Sequence, residues 1–254
     1  MRHIKDPYTK LNMPTAVALG CFDGVHTAHA AVINEAKRLA RLHSLSLAVW
    51  CFSEPPRNFY LEKKIPLVCD ESEKLRLIAE LGAEVLVCPD FTAEISGVSA
   101  RDFVTHLLYE CAGARCLVCG KNYTFGRGGE GNVSLLAELC EELGITLSVI
   151  DDVCVDGVKV SSTMIREAVE TGEIAFASKL LGRRFSVTAR VAADREGLFV
   201  SDKYLCVRDG EYKVEASFDS QRVNTTAVVS SERSGKRIVL HGIPTVCCAK
   251  VTFL

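Results

Sequence analysis

The stretch AVALGCFDGVHTAHAAVINEAKRLAR, residues 16–41, constrains this chain more than any other. It opens on an apolar run, residues 16–19, that reads as a buried strand. The run breaks at Gly20, and Asp23-Gly24 is a strong turn signal. A helical pattern follows at once, with Val32, Ile33, Ala36, Leu39 and Ala40 on one stripe. His26 and His29 fall where the turn enters that helix, and their i, i+3 spacing sets both imidazoles on one side of the first turn. A helix start carries unpaired N–H groups and partial positive charge, so it favours anions. Two imidazoles and free amides converging there describe a phosphate site. The same pair of residues also suits a core or capping role, or half of a metal site.

The rest of the chain repeats the alternation. Residues 45–52, 84–88, 115–119 and 145–150 read as further buried strands. Residues 71–81, 99–110 and 133–143 read as helices, with Ser99 and Asn132 as N-caps and Gly82 and Gly144 as stops. Continuous apolar strands between helices predict a parallel sheet covered on both faces. Ligands bind such sheets beyond the carboxyl ends of the strands. Three loops follow strands and should meet there: the FDGVH turn, the SEPPRNFY segment of residues 53–60, and the glycine-rich segment of residues 120–131. Pro55-Pro56 excludes helix and ladder pairing and predicts a loop for the second of these.

Two short helices are expected within residues 160–169 and 174–181, the latter closing at Gly182. Beyond Arg184 the helical period is lost, and strand-like runs such as FSVTARV and KVTFL are joined by turns. The expected organisation is therefore an α/β, Rossmann-like domain over residues 1–183 and a small all-β domain over residues 184–254.

Composition narrows the function. A net charge of −2 and a pI near 6.3 argue against binding to a nucleic-acid backbone. No apolar run approaches membrane-spanning length, and the N-terminus MRHIKDPYTK has no signal-peptide apolar region. The chain has twelve cysteines, and Cys51, Cys88, Cys116, Cys119 and Cys154 lie in apolar, strand-like runs. That pattern suits reduced thiols acting as small hydrophobes, hence a cytoplasmic protein. Cys111, Cys116 and Cys119 raise the question of zinc, but no fourth ligand follows at a usual spacing, so no metal site is assigned.

Two stretches resemble the signature of the HxGH nucleotidyltransferases, in the form used by bacterial FAD synthetases. Their GxFDGxHxGH is similar to Gly20-Cys21-Phe22-Asp23-Gly24-Val25-His26-Thr27-Ala28-His29, with Ala28 where the family has glycine. Their ISSTxIR is similar to Val160-Ser161-Ser162-Thr163-Met164-Ile165-Arg166. Arginine in the first turn of a capped helix is disfavoured by the helix dipole, a conflict that a bound anion removes. The glycine-rich loop resembles the family's GxxFxFGxxxxG through Gly120, Asn122, Tyr123, Phe125, Gly126 and Gly131. Arg57 matches the arginine of the family's F-x-P-H-P-R segment, although Glu54 and Pro55 replace its first proline and its histidine. Family members usually continue into a riboflavin kinase barrel marked by Pro-Thr-Ala-Asn. Residues 191–200 contain nothing like it, and Pro244-Thr245 runs into Val246-Cys247, so the tail resembles a shortened barrel without its catalytic segment.

The resemblance implies adenylyl transfer from ATP to FMN, giving FAD and pyrophosphate, without riboflavin kinase activity. It implies that Gly20, Phe22, Asp23, Gly24, His26, His29, Ser161, Ser162, Thr163 and Arg166 bind ATP, with His26, His29 and Arg166 stabilising the transferred and departing phosphates. Asn122, Phe125 and Arg57 fall on the flavin side, where Phe125 suits a flavin contact or a core position equally well. Mg²⁺ is expected on the triphosphate. Neither nucleic acid nor membrane is an expected partner, and the residues leave the oligomeric state undetermined. Two other functions fit the same residues: a nucleotidyltransferase with a different phosphate acceptor, and a non-catalytic flavin- or nucleotide-binding paralogue.

Overall fold

The first strands of the chain pair in parallel, as their uninterrupted apolar runs demand. In a computed structural model, which describes residues 1–192, 194, 196–218, 221–243 and 246–254, they form a six-stranded sheet. Its members are β1 (Arg2–Ile4), β2 (Thr15–Leu19), β3 (Ser46–Trp50), β4 (Val85–Val87), β5 (Ala114–Gly120) and β6 (Thr146–Ile150), in the order β1-β4-β3-β2-β5-β6. β2 is buried at every residue and pairs in parallel with β3 on one side and β5 on the other.

Alternation along these strands feeds two cores. Ala16, Ala18, Leu47, Val49, Leu86 and Val118 pack on the face covered by α1 (Thr27–Leu42) and by Leu77 and Ile78 of α3 (Glu71–Glu80). Val17, Leu19, Ala48, Trp50, Val85 and Leu117 pack on the other, against residues 103–111 and α6 (Val133–Leu143). The expected stripe of α1 is its buried face, residue for residue: Val32, Ile33, Ala36, Leu39 and Ala40. Asn132 caps α6 by accepting from the Leu135 amide at 3.0 Å, and Gly144 ends it in the left-handed conformation.

Four local expectations change. β1 was not foreseen; with only three residues and one of them buried, it has too little apolar pattern to signal a strand. The segment after β3 does not stay irregular: it closes with the single helical turn α2 (Arg57–Tyr60), with Pro56 at its N-cap. Proline lacks the N–H that a first turn leaves unpaired anyway, so it tolerates this position. The helix after Ser99 is α only over Ala100–Asp102 and continues as a π-helix over Phe103–Cys111. Its buried residues, Phe103, Val104, Leu107, Leu108 and Cys111, satisfy the ordinary helical period, so sequence spacing does not distinguish the two windings. Cys154 is exposed in a two-residue strand and is not a core thiol. All twelve cysteines are free; Cys51, Cys88, Cys116 and Cys119 are buried, and the Sγ atoms of Cys51 and Cys88 touch at 3.6 Å.

Contacts divide the chain into two units, Met1–Glu62 with Lys74–Val153, and Lys63–Glu73 with Cys154–Leu254. The second unit contains α7 (Ser162–Thr171) and α8 (Ile174–Leu181), ended by left-handed Gly172 and Gly182. It also contains a closed, fully antiparallel barrel of six strands spanning Ser186–Val191, Leu198–Ser201, Gly210–Phe218, Gln221–Glu232, Gly235–Leu240 and Cys248–Phe253. Closure between the first and last of these removes both sheet edges. Small residues such as Ala189, Ala216, Ala227 and Ala249 are buried along the strands, alternating with exposed positions. Pro244-Thr245 lies outside the described residues.

Asn132 is itself exposed, so its cap can be tested with little disturbance of packing. Asn132→Ala should cost about 1 kcal/mol of stability and Asn132→Asp almost nothing. Urea unfolding of the two variants measures this, and equal losses would mean the cap contributes nothing.

Candidate functional site

The strand order reverses at β2. From β2 the chain moves outward through β3 and β4, then crosses back to place β5 on the other flank of β2. The loops after β2 and β5 therefore diverge and leave a crevice, the usual ligand position in such sheets.

After β2 the backbone is strained. Phe22 and Val25 hold positive φ angles of 50° and 39°, and Val25 is β-branched, for which this region is costly. Gly24 shares the conformation at 78° with no such penalty. The Phe22 ring is wholly buried and lies against Gly20, where an added Cβ would sit 3.1 Å from Phe22 Cζ. Asp23 is buried beside it in sequence, 2% exposed. This packing turns the chain into α1 with His26 as N-cap.

His26 Nδ1 accepts from the His29 backbone N–H at 3.3 Å, so its ring proton sits on Nε2 whenever the ring is neutral. The two imidazoles stack with centroids 3.6 Å apart and planes 11° from parallel. The Phe22 ring meets His29 edge-on at 5.1 Å. His29 Nδ1 is buried and has no hydrogen-bond partner. Burial, then the neighbouring His26, then Lys74 hold the His29 imidazole well below the ordinary histidine pKa of 6.5. Near neutral pH this ring is uncharged and acts through hydrogen bonds. The first turn of α1 contains no acidic residue to compete with an anion.

Lys74 is a residue that sequence reasoning missed. It is 4% exposed and donates from Nζ to the carbonyls of Phe52 at 3.0 Å and Ser53 at 2.9 Å. The ESEKLRL context looks like an ordinary solvated helix face, so nothing local signals a buried cation.

A cleft of about 540 Å³ opens over the sheet in the same unit. The three expected loops meet in it, through Gly20 and Cys21, Pro55 to Arg57, and Asn122 to Gly126. Gly20, Arg57, Asn122 and Phe125 line it together; Arg57 and Asn122 are exposed, whereas Phe125 is 6% exposed and belongs to the core. Phe125 stacks on Tyr123 at 5.8 Å, and burial pushes the Tyr123 phenol well up. Gly126 has φ +75°, and a Cβ there would lie 2.6 Å from the Ala100 backbone, so only glycine lets this loop pass. A contribution that sequence reasoning missed comes from Phe91, Ile95 and Val98, on the segment after β4.

The remaining expected residues belong to the second unit. Ser161 caps α7, its Oγ accepting from the Met164 amide at 3.2 Å. Ser162 is half-buried and Thr163 exposed in the first turn. Arg166 is half-buried and donates from Nε to the Pro66 carbonyl at 2.7 Å.

The family model described as FAD synthetase matches residues 9–164. The chain belongs to this family. It is 31% identical over 176 residues to the bifunctional riboflavin kinase/FMN adenylyltransferase of Escherichia coli strain K12, covering 69% of this chain and 56% of that protein. The chain thus spans little more than half the length of that relative. The bifunctional riboflavin kinase/FMN adenylyltransferase of Bacillus subtilis is 28% identical over 238 residues, covering 87% of this chain and 74% of that one. A solved structure titled macrolide-efflux protein, from Streptococcus pneumoniae, superposes with a TM-score of 0.87 at 23% identity, over 100% of this chain and 89% of its own. It shares the fold, with both the parallel sheet and the barrel.

The depressed His29 pKa makes a pH prediction. Between its folded value and the unfolded value near 6.5, the unfolded chain binds the extra proton. The contribution of His29 is therefore fully present above pH 6.5 and is lost as pH falls below it. The stability difference between wild type and His29→Gln should shrink between pH 7 and about 5 in urea unfolding. A difference independent of pH would show that the ring is not held neutral.

Proposed function

We propose that this chain transfers the adenylyl group of ATP to FMN, forming FAD and pyrophosphate. The observation that carries the reading is the stacked His26–His29 pair at the start of α1, with His29 held uncharged, on the helix that follows the strand where the order reverses. Family membership, and the names of the bifunctional relatives, support the choice of ATP and FMN as substrates.

In this reaction an FMN phosphate oxygen attacks the α-phosphorus of ATP in line, and pyrophosphate leaves. The attacking phosphate is already ionised at neutral pH, so no general base is required. That fits a site in which His29 is a neutral hydrogen-bonding group. Catalysis is positioning plus stabilisation of charge on the α-phosphate and on the departing pyrophosphate. We assign the first task to His26 and His29, and the second to Arg166 with Ser161, Ser162 and Thr163. Gly20, Phe22, Asp23 and Gly24 shape the loop that presents the histidines. Asn122, Arg57 and the ring of Phe125 serve the flavin side of the cleft. Among the described residues, no group of three or more His, Cys, Asp or Glu side chains could hold a metal ion. Mg²⁺ is expected with the substrate, bound to the triphosphate and to water. Among the described residues, no helix is long and apolar enough to cross a membrane.

Incubation with ATP, Mg²⁺ and FMN should yield FAD on chromatography, and riboflavin with ATP should yield no FMN. His29→Ala should lower FAD formation by roughly 10²–10³-fold. Flavin and ATP binding without turnover would favour a non-catalytic paralogue; turnover with a different phosphate would favour another acceptor.

Arg166→Gln tests the triphosphate assignment separately. It should remove much of the rise in melting temperature that Mg-ATP causes, since a charge-assisted phosphate contact contributes roughly 1.5–3 kcal/mol. An equal rise in wild type and variant would overturn the triphosphate assignment of Arg166.

A further inference from the structure

Trp50 is the chain's one tryptophan and the last residue of β3. It lines the cleft, is 1% exposed, and its indole Nε1 is buried without a hydrogen-bond partner. The ring is held firmly. Phe52 and Phe103 each meet it edge-to-face, with centroids 4.9 Å away and planes at 87°. Its backbone is committed to the sheet, between Leu19 of β2 and Val87 of β4.

An indole N–H can only donate, so no rotation or tautomer relieves it. Buried indole donors ordinarily find an acceptor, and an unmatched one is a standing penalty. Here the residue that carries the penalty lines a cleft. Around it the cleft offers flat apolar surface from aromatic rings and further donors from Arg57 and Asn122. Among the described residues, no carboxylate lines it. A wall of rings and donors, without a carboxylate among the described residues, suits a planar heterocycle whose rim carries acceptors. The dicarbonyl ring of a flavin has that character.

We infer that the Trp50 indole N–H is a specificity-determining donor to a carbonyl oxygen of the flavin ring. The inference rests on the flavin reading of the cleft given above and adds to it a residue that none of the family motifs contains. It also accounts for the penalty in the free protein: the deficit is removed when the acceptor arrives, so part of the flavin's affinity comes from repairing the apo site.

The lone tryptophan makes the test direct, because its fluorescence reports only this position. FMN and riboflavin should each quench it on titration into the full chain. Two variants separate the donor from the ring: Trp50→Phe, and replacement of Trp50 by benzothienylalanine, which keeps the bicyclic shape without the N–H. Flavin fluorescence and calorimetry then read affinity in proteins that lack the indole. Both variants should bind FMN roughly tenfold more weakly or worse, with ATP affinity unchanged. Benzothienylalanine binding FMN like wild type would overturn the proposal, since the ring and not the donor would then matter. A wild-type protein that binds ATP but neither FMN nor riboflavin would remove the flavin reading and this proposal together. Equal FMN affinity in all three proteins would remove this proposal alone.

Discussion

The parallel pairing of β2 with two neighbours is the interaction on which the first unit depends. A strand buried at all five residues and flanked on both sides has no free edge and no exposed face. Its chain can leave only over the carboxyl end of the sheet, and α1 must then return across one face. The seven residues between Leu19 and α1 make that reversal, and positive φ angles at Phe22 and Val25 are its local cost. Burial of the Phe22 ring and the close fit of Gly20 against it offset the strain. The histidines are consequently held by the core and not by a loose surface loop.

The same burial decides the electrostatics. A histidine pair on an open helix start would titrate near neutrality and switch its charge with small changes in pH. Enclosure, mutual stacking and the nearby Lys74 instead keep His29 uncharged. The buried Lys74 donates to two carbonyls that follow β3, so a cation is held at the carboxyl end of the sheet. A fixed cation and a neutral His29 imidazole suit an anionic, multiply charged substrate better than a chain of titrating acids and bases would.

The barrel follows a different logic. Its strands alternate buried and exposed residues, and closure leaves no edge for unwanted pairing. Buried alanines lie along four of its six strands. These are requirements of a stable barrel and carry no chemistry in themselves. The missing Pro-Thr-Ala-Asn segment is thus compatible with an intact barrel fold, because the interior pattern and not the motif holds the strands together.

Much of this was legible in the chain itself. Uninterrupted apolar runs specified parallel strands, and the stripe of Val32, Ile33, Ala36, Leu39 and Ala40 specified the buried face of α1. Ser99 and Asn132 marked helix starts because short polar side chains satisfy first-turn amides wherever they occur. Convergence of the loops after β2, β3 and β5 followed from strand–helix alternation alone. What the sequence could not determine depends on neighbours distant along the chain. β1 exists because the edge of β4 is there to receive it. The π winding of residues 103–111 fits the same apolar spacing as an α-helix. The buried charge of Lys74, the neutrality of His29 and the unmatched Trp50 donor each arise from groups brought together by folding. Local sequence determines which residues can be buried; only the tertiary structure decides which polar groups go in with them and whether each finds a partner.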